Sequence, residues 1–220
     1  MFYPVTLLEA PIIANGRFLF PRHHFILATL LDVLNVEEIS DSRDYEFLEA
    51  LSSDLYELAF ESNVEPIRDP YFTLGLMIST LYSETRLRRL GIHDPKNPNW
   101  CLMQINLGVD KSGRSRFKVV YEDRSGYAVS KTTGFDGSDL ERDQKVCLRV
   151  GLEYMRESWR MCQKYPENER LSTYLSGSCF KSRRASRFRF RRAQLITSML
   201  EKMEKSEILT RQTQVCYNNK

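Results

Sequence analysis

The run YFTLGLMISTLYSETRLRRL, residues 71–90, reads as one helix with an acid set into its apolar stripe. At 100° per residue, Met77 falls within about 20° of Glu84, and Leu81 and Leu87 within about 60°. Charge on an apolar face is costly. Either something pairs with Glu84, or its odd position is its use. Arg88 stands four residues later, and Glu before Arg at that spacing is an ordinary helix-surface pair. Asp69 and Pro70 form a start signal, and Gly91 a natural stop.

Residues 1–21 read as irregular, punctuated by Pro4, Pro11 and Pro21, with ANGR as a turn. His23–Leu34 has a helical pattern. Ser42 is a good cap for a second helix over 44–60, with Leu48, Leu51, Leu55 and Leu58 as its stripe. WCLMQINLG, from Trp100, reads as a short helix or loop. RFKVVYE and GYAVS read as two strands of a hairpin joined by Asp123–Ser125. A helical region starts at Ser138 or Asp139, with a long helix over 140–163. YPENE interrupts, RLSTYLSGSC is a short helix ending at Gly177, and 185–208 is a helix followed by a frayed tail. The order of elements predicts an α+β fold, predominantly α.

The chain has 220 residues, room for one domain plus an extension. Its 42% hydrophobic and 28% charged residues suit a globular protein and exclude wholesale disorder. The net charge of +3 points to no partner, but KSRRASRFRFRR, residues 181–192, packs seven basic residues into twelve with no acid. That run is either a solvated helix face or a phosphate-binding stretch with Phe188 and Phe190 interleaved. Because the arginines fall all around the helix, nucleic acid is not the expected partner. Five cysteines, an odd number with no C-x-x-C pair, argue for mostly reduced thiols. A Cys147–Cys179 or Cys162–Cys179 contact is compatible with that reading. His23, His24 and His93 show no ligand spacing, so neither a metal nor another cofactor is expected. The N-terminal sequence lacks a signal-peptide pattern, and no apolar stretch is long enough for a membrane span. A chain of this kind is expected to be made in the cytoplasm.

Three strings stand in order: LYSETRL, then CLMQINLG about twenty residues later, then CLRVGLEYMRESWRMC running into RLSTYLSGSC. This order resembles the SLT-type lytic transglycosylases, a lysozyme-like family that cleaves peptidoglycan. The family pattern is E-S on a helix, then G-L-M-Q-[ILV], a helix with G-x-x-Y-L, and A-Y-N-x-G. The resemblance covers roughly residues 70–196. Glu84 takes the place of the single catalytic acid. Leu102, Met103, Gln104 and Ile105 match the second motif, Gly151, Tyr154 and Met155 the third, and Tyr174 and Gly177 the last. Thr85 follows the acid where Ser is usual, Cys101 stands where the family has Gly, and Leu175 replaces Asn.

The resemblance implies a lysozyme-like fold, with the hairpin as a small β-lobe. It divides the chain into an N-terminal helical extension over 1–65, a transglycosylase domain over 66–200, and a C-terminal helix end and tail over 201–220. It implies a lyase that breaks the MurNAc–GlcNAc β-1,4 bond and leaves a 1,6-anhydro product. Burial beside Met77 and Leu81 would favour the protonated carboxyl that a general acid needs. Gln104 would offer its amide to the substrate, and Tyr174 would hold the carboxylate. Met103 would be core or subsite wall rather than chemistry, Trp100 either core or a sugar platform beside the site, and Asn106 a sugar contact.

A lysozyme-type hydrolase is the near alternative. It would need a second carboxylate about 5 to 9 Å away, drawn from Asp110, Glu122, Asp123, Asp136 or Asp139. A basic binding module and a structural protein on a decayed lysozyme-like fold are the non-catalytic readings. The expected partner is the peptidoglycan glycan strand. Because that polymer lies outside the cytoplasm, the expected route is a bacteriophage virion or lysis system, or a secretion apparatus, with action at the periplasm or cell wall.

Overall fold

The computed structural model describes residues 12–14, 17–19, 23–34, 42–61, 65–87, 99–106, 108–109, 115–121 and 128–218. Side chains are described over 23–34, 44–61, 65–87, 99–105 and 139–206. The described residues are predominantly helical.

Helix α3, Pro70–Thr85, is the inner element, with every residue from Phe72 to Leu81 buried. A helix surrounded on all sides has to be apolar on all sides, and FTLGLMISTL satisfies this with Thr and Ser as its only polar members. Its start follows the local code. The Asp69 carboxylate accepts from the Phe72 N–H at 2.8 Å, with Pro70 at the first position. Its end departs from expectation. Arg86 and Leu87 take left-handed φ values of 57° and 54°, and the helix stops at Thr85 rather than near Gly91. The Arg86 N–H closes the last turn on the Tyr82 carbonyl.

Around α3 pack α1 (His24–Leu34), α2 (Ser42–Tyr56, continued as one π-helical turn over Glu57–Glu61) and α5 (Gln144–Met161), with the short α4 (Gly137–Arg142) leading into α5. A 3₁₀ turn, Glu167–Glu169, precedes α6 (Ser172–Ser176), which ends at left-handed Gly177. The last helix, α7, runs from Arg183 to Asn218, so the stretch expected to fray is helical in its backbone. Helix α7 lies against α3 and α1. Its backbone touches α3 at Gly75, where a Cβ would come within 2.6 Å of the Ala193 carbonyl and also strike Thr197 Oγ1. One continuous core joins Phe25 and Leu30 of α1 to Leu51, Met77, Leu148 and Leu200. Phe72, Trp159 and Phe190 meet at its edge, with Trp159 and Phe190 stacked at 6.2 Å.

The strands are short and antiparallel. β1 (Ile12–Ala14) pairs with β2 (Arg17–Leu19), Ala14 opposite Arg17, so that stretch is less irregular than expected; Asn15 and Gly16 of the expected turn lie outside the described residues. β3 (Asn99–Trp100) pairs with β4 (Ile105–Asn106), so WCLMQIN, read as a short helix or loop, is a tight two-stranded hairpin. β5 (Gly108–Val109), β6 (Ser115–Tyr121) and β7 (Ala128–Asp136) form a three-stranded sheet, with Val120 opposite Val129 as the hairpin reading requires.

The thiols are not mostly reduced. Cys101 is bonded to Cys147 and Cys162 to Cys179, with Cα separations of 6.1 and 5.6 Å. The odd count misled because four of the five cysteines pair; the side chain of the fifth, Cys216, lies outside the described residues.

Candidate functional site

Glu84 sits in the last turn of α3, where the helix emerges from the core. Its side chain is 22% exposed and accepts a hydrogen bond from Arg189 Nη2 of α7 at 2.6 Å. Arg189 itself is only 11% exposed, and its Nη1 is buried with no hydrogen-bond partner among the described residues. The acid's partner is therefore an arginine 105 residues away. Arg88, the partner that the sequence spacing offers, lies outside the described residues. The Glu84–Arg189 bond engages Oε1 and leaves Oε2 without a protein donor among the described residues. Ser79, one turn before Ser83, donates to the Arg189 carbonyl at 3.0 Å and fixes the two helices at this level.

The turn between β3 and β4 holds the second motif. Cys101 and Gln104 flank it with left-handed φ values of 54° and 49°. Left-handed backbone costs a non-glycine residue roughly 1 kcal/mol and persists only where surroundings enforce it. Here three contacts do so. Cys101 is tied to α5 through Cys147. Met103 is fully buried and lies so close to Gly151 that a Cβ there would meet Met103 Cγ at 2.6 Å. Tyr174 of α6 donates its hydroxyl to the Met103 carbonyl at 2.6 Å.

Tyr174 thus clamps the Met103 turn and does not donate to Glu84, contrary to the expected role. It is nevertheless close enough to feel that carboxylate. Burial, and after it the negative charge of Glu84, push the Tyr174 hydroxyl well above the usual phenol range. The Tyr174 N–H is in turn held by Ser158 of α5. Gln104 also departs from expectation: its Nε2 donates to the Cys101 carbonyl at 3.1 Å, so the amide closes its own turn. Trp100 is half-buried against the core. Asn106 has its backbone in β4, and its side chain lies outside the described residues. Met103 is fully buried, in keeping with the core alternative of its reading.

Of the acids considered as a second carboxylate, Asp139 is ion-paired to Arg142, and Asp136 is described in backbone only, at the end of β7. Asp110, Glu122 and Asp123 lie outside the described residues. Among the described residues, no group of His, Cys, Asp or Glu has the makings of a metal site, and no helix is long and apolar enough to cross a membrane.

The basic run, expected as a solvated face, divides its work. Arg183 and Arg187 reach Glu169, and Arg189 takes Glu84. Arg192 lies between the rings of Tyr82 and Phe188, at 4.6 and 4.7 Å. Sequence reasoning missed Arg189 and Arg192. The available signal was periodic: Ala185, Phe188, Arg189 and Arg192 recur at i, i+3, i+4 and i+7, one face of a helix.

No family model, curated protein or solved structure matches the chain.

Proposed function

We propose that the chain is a lysozyme-like lytic transglycosylase that cleaves peptidoglycan, with Glu84 as its acid and base. The observation that carries the reading is the left-handed backbone at Cys101. The family pattern has Gly at that position, and φ near 54° is where glycine is favoured. A second feature supports it. Strings separated by up to 90 residues in the sequence draw together near Glu84: Met103 fills the space left open at Gly151, and Tyr174 clamps Met103 while sensing the Glu84 charge.

In this reading a glycan strand meets Glu84 from its exposed side. For this step Glu84 must first take up a proton; Oε2 then delivers it to the glycosidic oxygen as the bond to C1 breaks. The resulting carboxylate takes the proton of the sugar's 6-hydroxyl. That oxygen bonds to C1, giving the 1,6-anhydro end without a water molecule. Arg189 holds Oε1 and fixes the carboxylate's direction before the substrate arrives. The two disulfides suit an oxidising compartment, and so a site of action outside the cytoplasm, reached with a virion, a lysis system or a secretion apparatus.

Digestion of purified peptidoglycan by the wild type and by Glu84→Gln, with products identified by mass spectrometry, tests the proposal. Anhydro-muropeptides that vanish in the variant are expected. Reducing-end products would make the protein a hydrolase and require a second carboxylate. Absence of any product from folded wild type, across several wall chemotypes, would sink the enzyme reading.

A further inference from the structure

Beside Glu84, between the C-terminal end of α3 and the N-terminal end of α7, is an open cleft of about 630 Å³. Four arginines line it: Arg86, Arg184, Arg189 and Arg192. Ser83, Ser182, Ala185 and Phe188 complete its wall. The charge is almost uncompensated. Glu84 pairs with Arg189, but among the described residues no carboxylate lies within ion-pairing distance of Arg86, Arg184 or Arg192. Arg192 donates to Ser83 Oγ at 3.2 Å and is flanked by Tyr82 and Phe188. Arg86 covers Tyr82 at 4.8 Å. Aromatic faces therefore hold these guanidiniums in place without neutralising them. Burial first, opposed by Tyr82 and then reinforced by the positive charges of Arg86 and Arg189, pulls Arg192 below the usual arginine range. Like charges drawn together this way are unfavourable unless something negative joins them.

We propose that this cleft is an oxyanion site, which takes one carboxylate or phosphate group between Arg86, Arg189 and Arg192. Guanidinium forks match such groups bidentately. Arg189 lines the cleft, and its Nη1 has no hydrogen-bond partner among the described residues; because that atom is buried, the guanidinium must turn for a ligand to reach it. The occupant shares Arg189 with Glu84, so the two anions compete for one guanidinium. Filling the cleft loosens the Glu84–Arg189 bond and frees the carboxylate at the moment a ligand arrives. That the occupant is an acidic group of the glycan strand rests on the enzymatic reading above; the site itself does not. A nucleic-acid track fits less well, because Arg183 and Arg187 of the same run are already engaged with Glu169.

Isothermal titration with inorganic pyrophosphate at low ionic strength tests the site, using the full chain. Wild type should bind. Arg192→Lys, which keeps the charge but loses the fork, should weaken binding at least fivefold, and Arg86→Gly should do the same. Lys164→Ala, outside the cleft, should leave it unchanged. Glu84→Gln should tighten binding about three- to tenfold, because Arg189 no longer has a competing anion. Thermal melts of each variant confirm folding. No binding by wild type, equal binding by the two cleft variants, or no tightening in Glu84→Gln would overturn the proposal. Pyrophosphate binding that behaves as expected in a protein that digests no wall would keep the cleft and discard the enzyme. Single-stranded DNA bound far more tightly than pyrophosphate, with a salt slope of several charges, would overturn the single-group site in favour of a nucleic-acid surface.

Discussion

Arg189 Nη2 donates to Glu84 Oε1 at 2.6 Å across the α3–α7 contact, and both side chains are largely buried. The bond ties α3 to α7 beside the candidate site, and its loss is asymmetric. Glu84→Ala leaves a buried guanidinium uncompensated and should cost about 1–3 kcal/mol in urea unfolding. Arg189→Met leaves a carboxylate that still reaches water, and should cost less. The double variant should recover part of the Glu84→Ala loss. Equal and additive costs would show that the two groups do not interact in solution.

The turn carrying Met103 is held from below by the absence of a side chain at Gly151. Gly151→Ala places a methyl group against Met103 Cβ, Cγ and Cε together, so the whole side chain must move. A destabilisation of about 1–3 kcal/mol is expected. Adding Met103→Ala should relieve the overlap. Circular dichroism melts of the single and double variants measure this, and a worse double variant would refute the contact.

Reduction should lower stability sharply. In the chain-entropy account, a cross-link over 17 residues contributes about 3 kcal/mol and one over 46 residues about 4 kcal/mol. Scanning calorimetry with and without a thiol reductant should therefore show a Tm fall of ten degrees or more. An unchanged Tm would mean that these cysteines are not bonded in solution.

Alkaline pH should act through Tyr174 and Tyr71. Burial first, and then the charge of Glu84, raise Tyr174; burial first, and then its 2.5 Å bond to Glu204, raise Tyr71. Each folded-state value lies above the unfolded one. The contribution is complete below the unfolded phenol value, ~10, and is lost as pH rises from there through the folded value. Stability should fall above pH ~10, and Tyr174→Phe should flatten that fall. An early phenolate absorbance from Tyr174, while the protein is still folded, would contradict its burial.

Arg86 stops α3 in a left-handed conformation that suits glycine. Arg86→Gly should stabilise the protein by up to about 1 kcal/mol, less whatever its contact with Tyr82 contributes. A loss of stability in thermal melts would show that the Tyr82 contact outweighs the backbone strain.

Signals confined to a few residues were legible, and those that needed the fold were not. Asp69 and Pro70 announce the start of α3 because a cap is local chemistry. The end of α3 was misjudged because Arg86 and Leu87 carry no turn signal, whereas Gly91 does. The hairpin of β6 and β7 follows from alternation alone. Glu84 stood out because an acid among Met77 and Leu81 is anomalous at any range. Its partner did not, since Arg189 is one arginine among many in a run that looks uniform until a helix sorts it by face. Cys162–Cys179 was among the contacts considered, spanning 17 residues; Cys101–Cys147 needs the β3–β4 turn to lie on α5, which no local pattern states.

Gly75 gives the last consequence. It is where the backbones of α3 and α7 touch, nine residues before Glu84, or about 13 Å along the helix. The contact is a fulcrum, and Glu84 rides at the end of the lever. A tilt of only about 5° at Gly75 would swing the carboxylate by roughly 1 Å, a displacement large enough to cost about a hundredfold in a positioned reaction. On the proposed enzymatic reading, a serine at position 75 would therefore cut activity about a hundredfold with every side chain of the site intact. The aim of the acid is set by a hydrogen atom, two and a half turns away, where any other residue would hold a carbon.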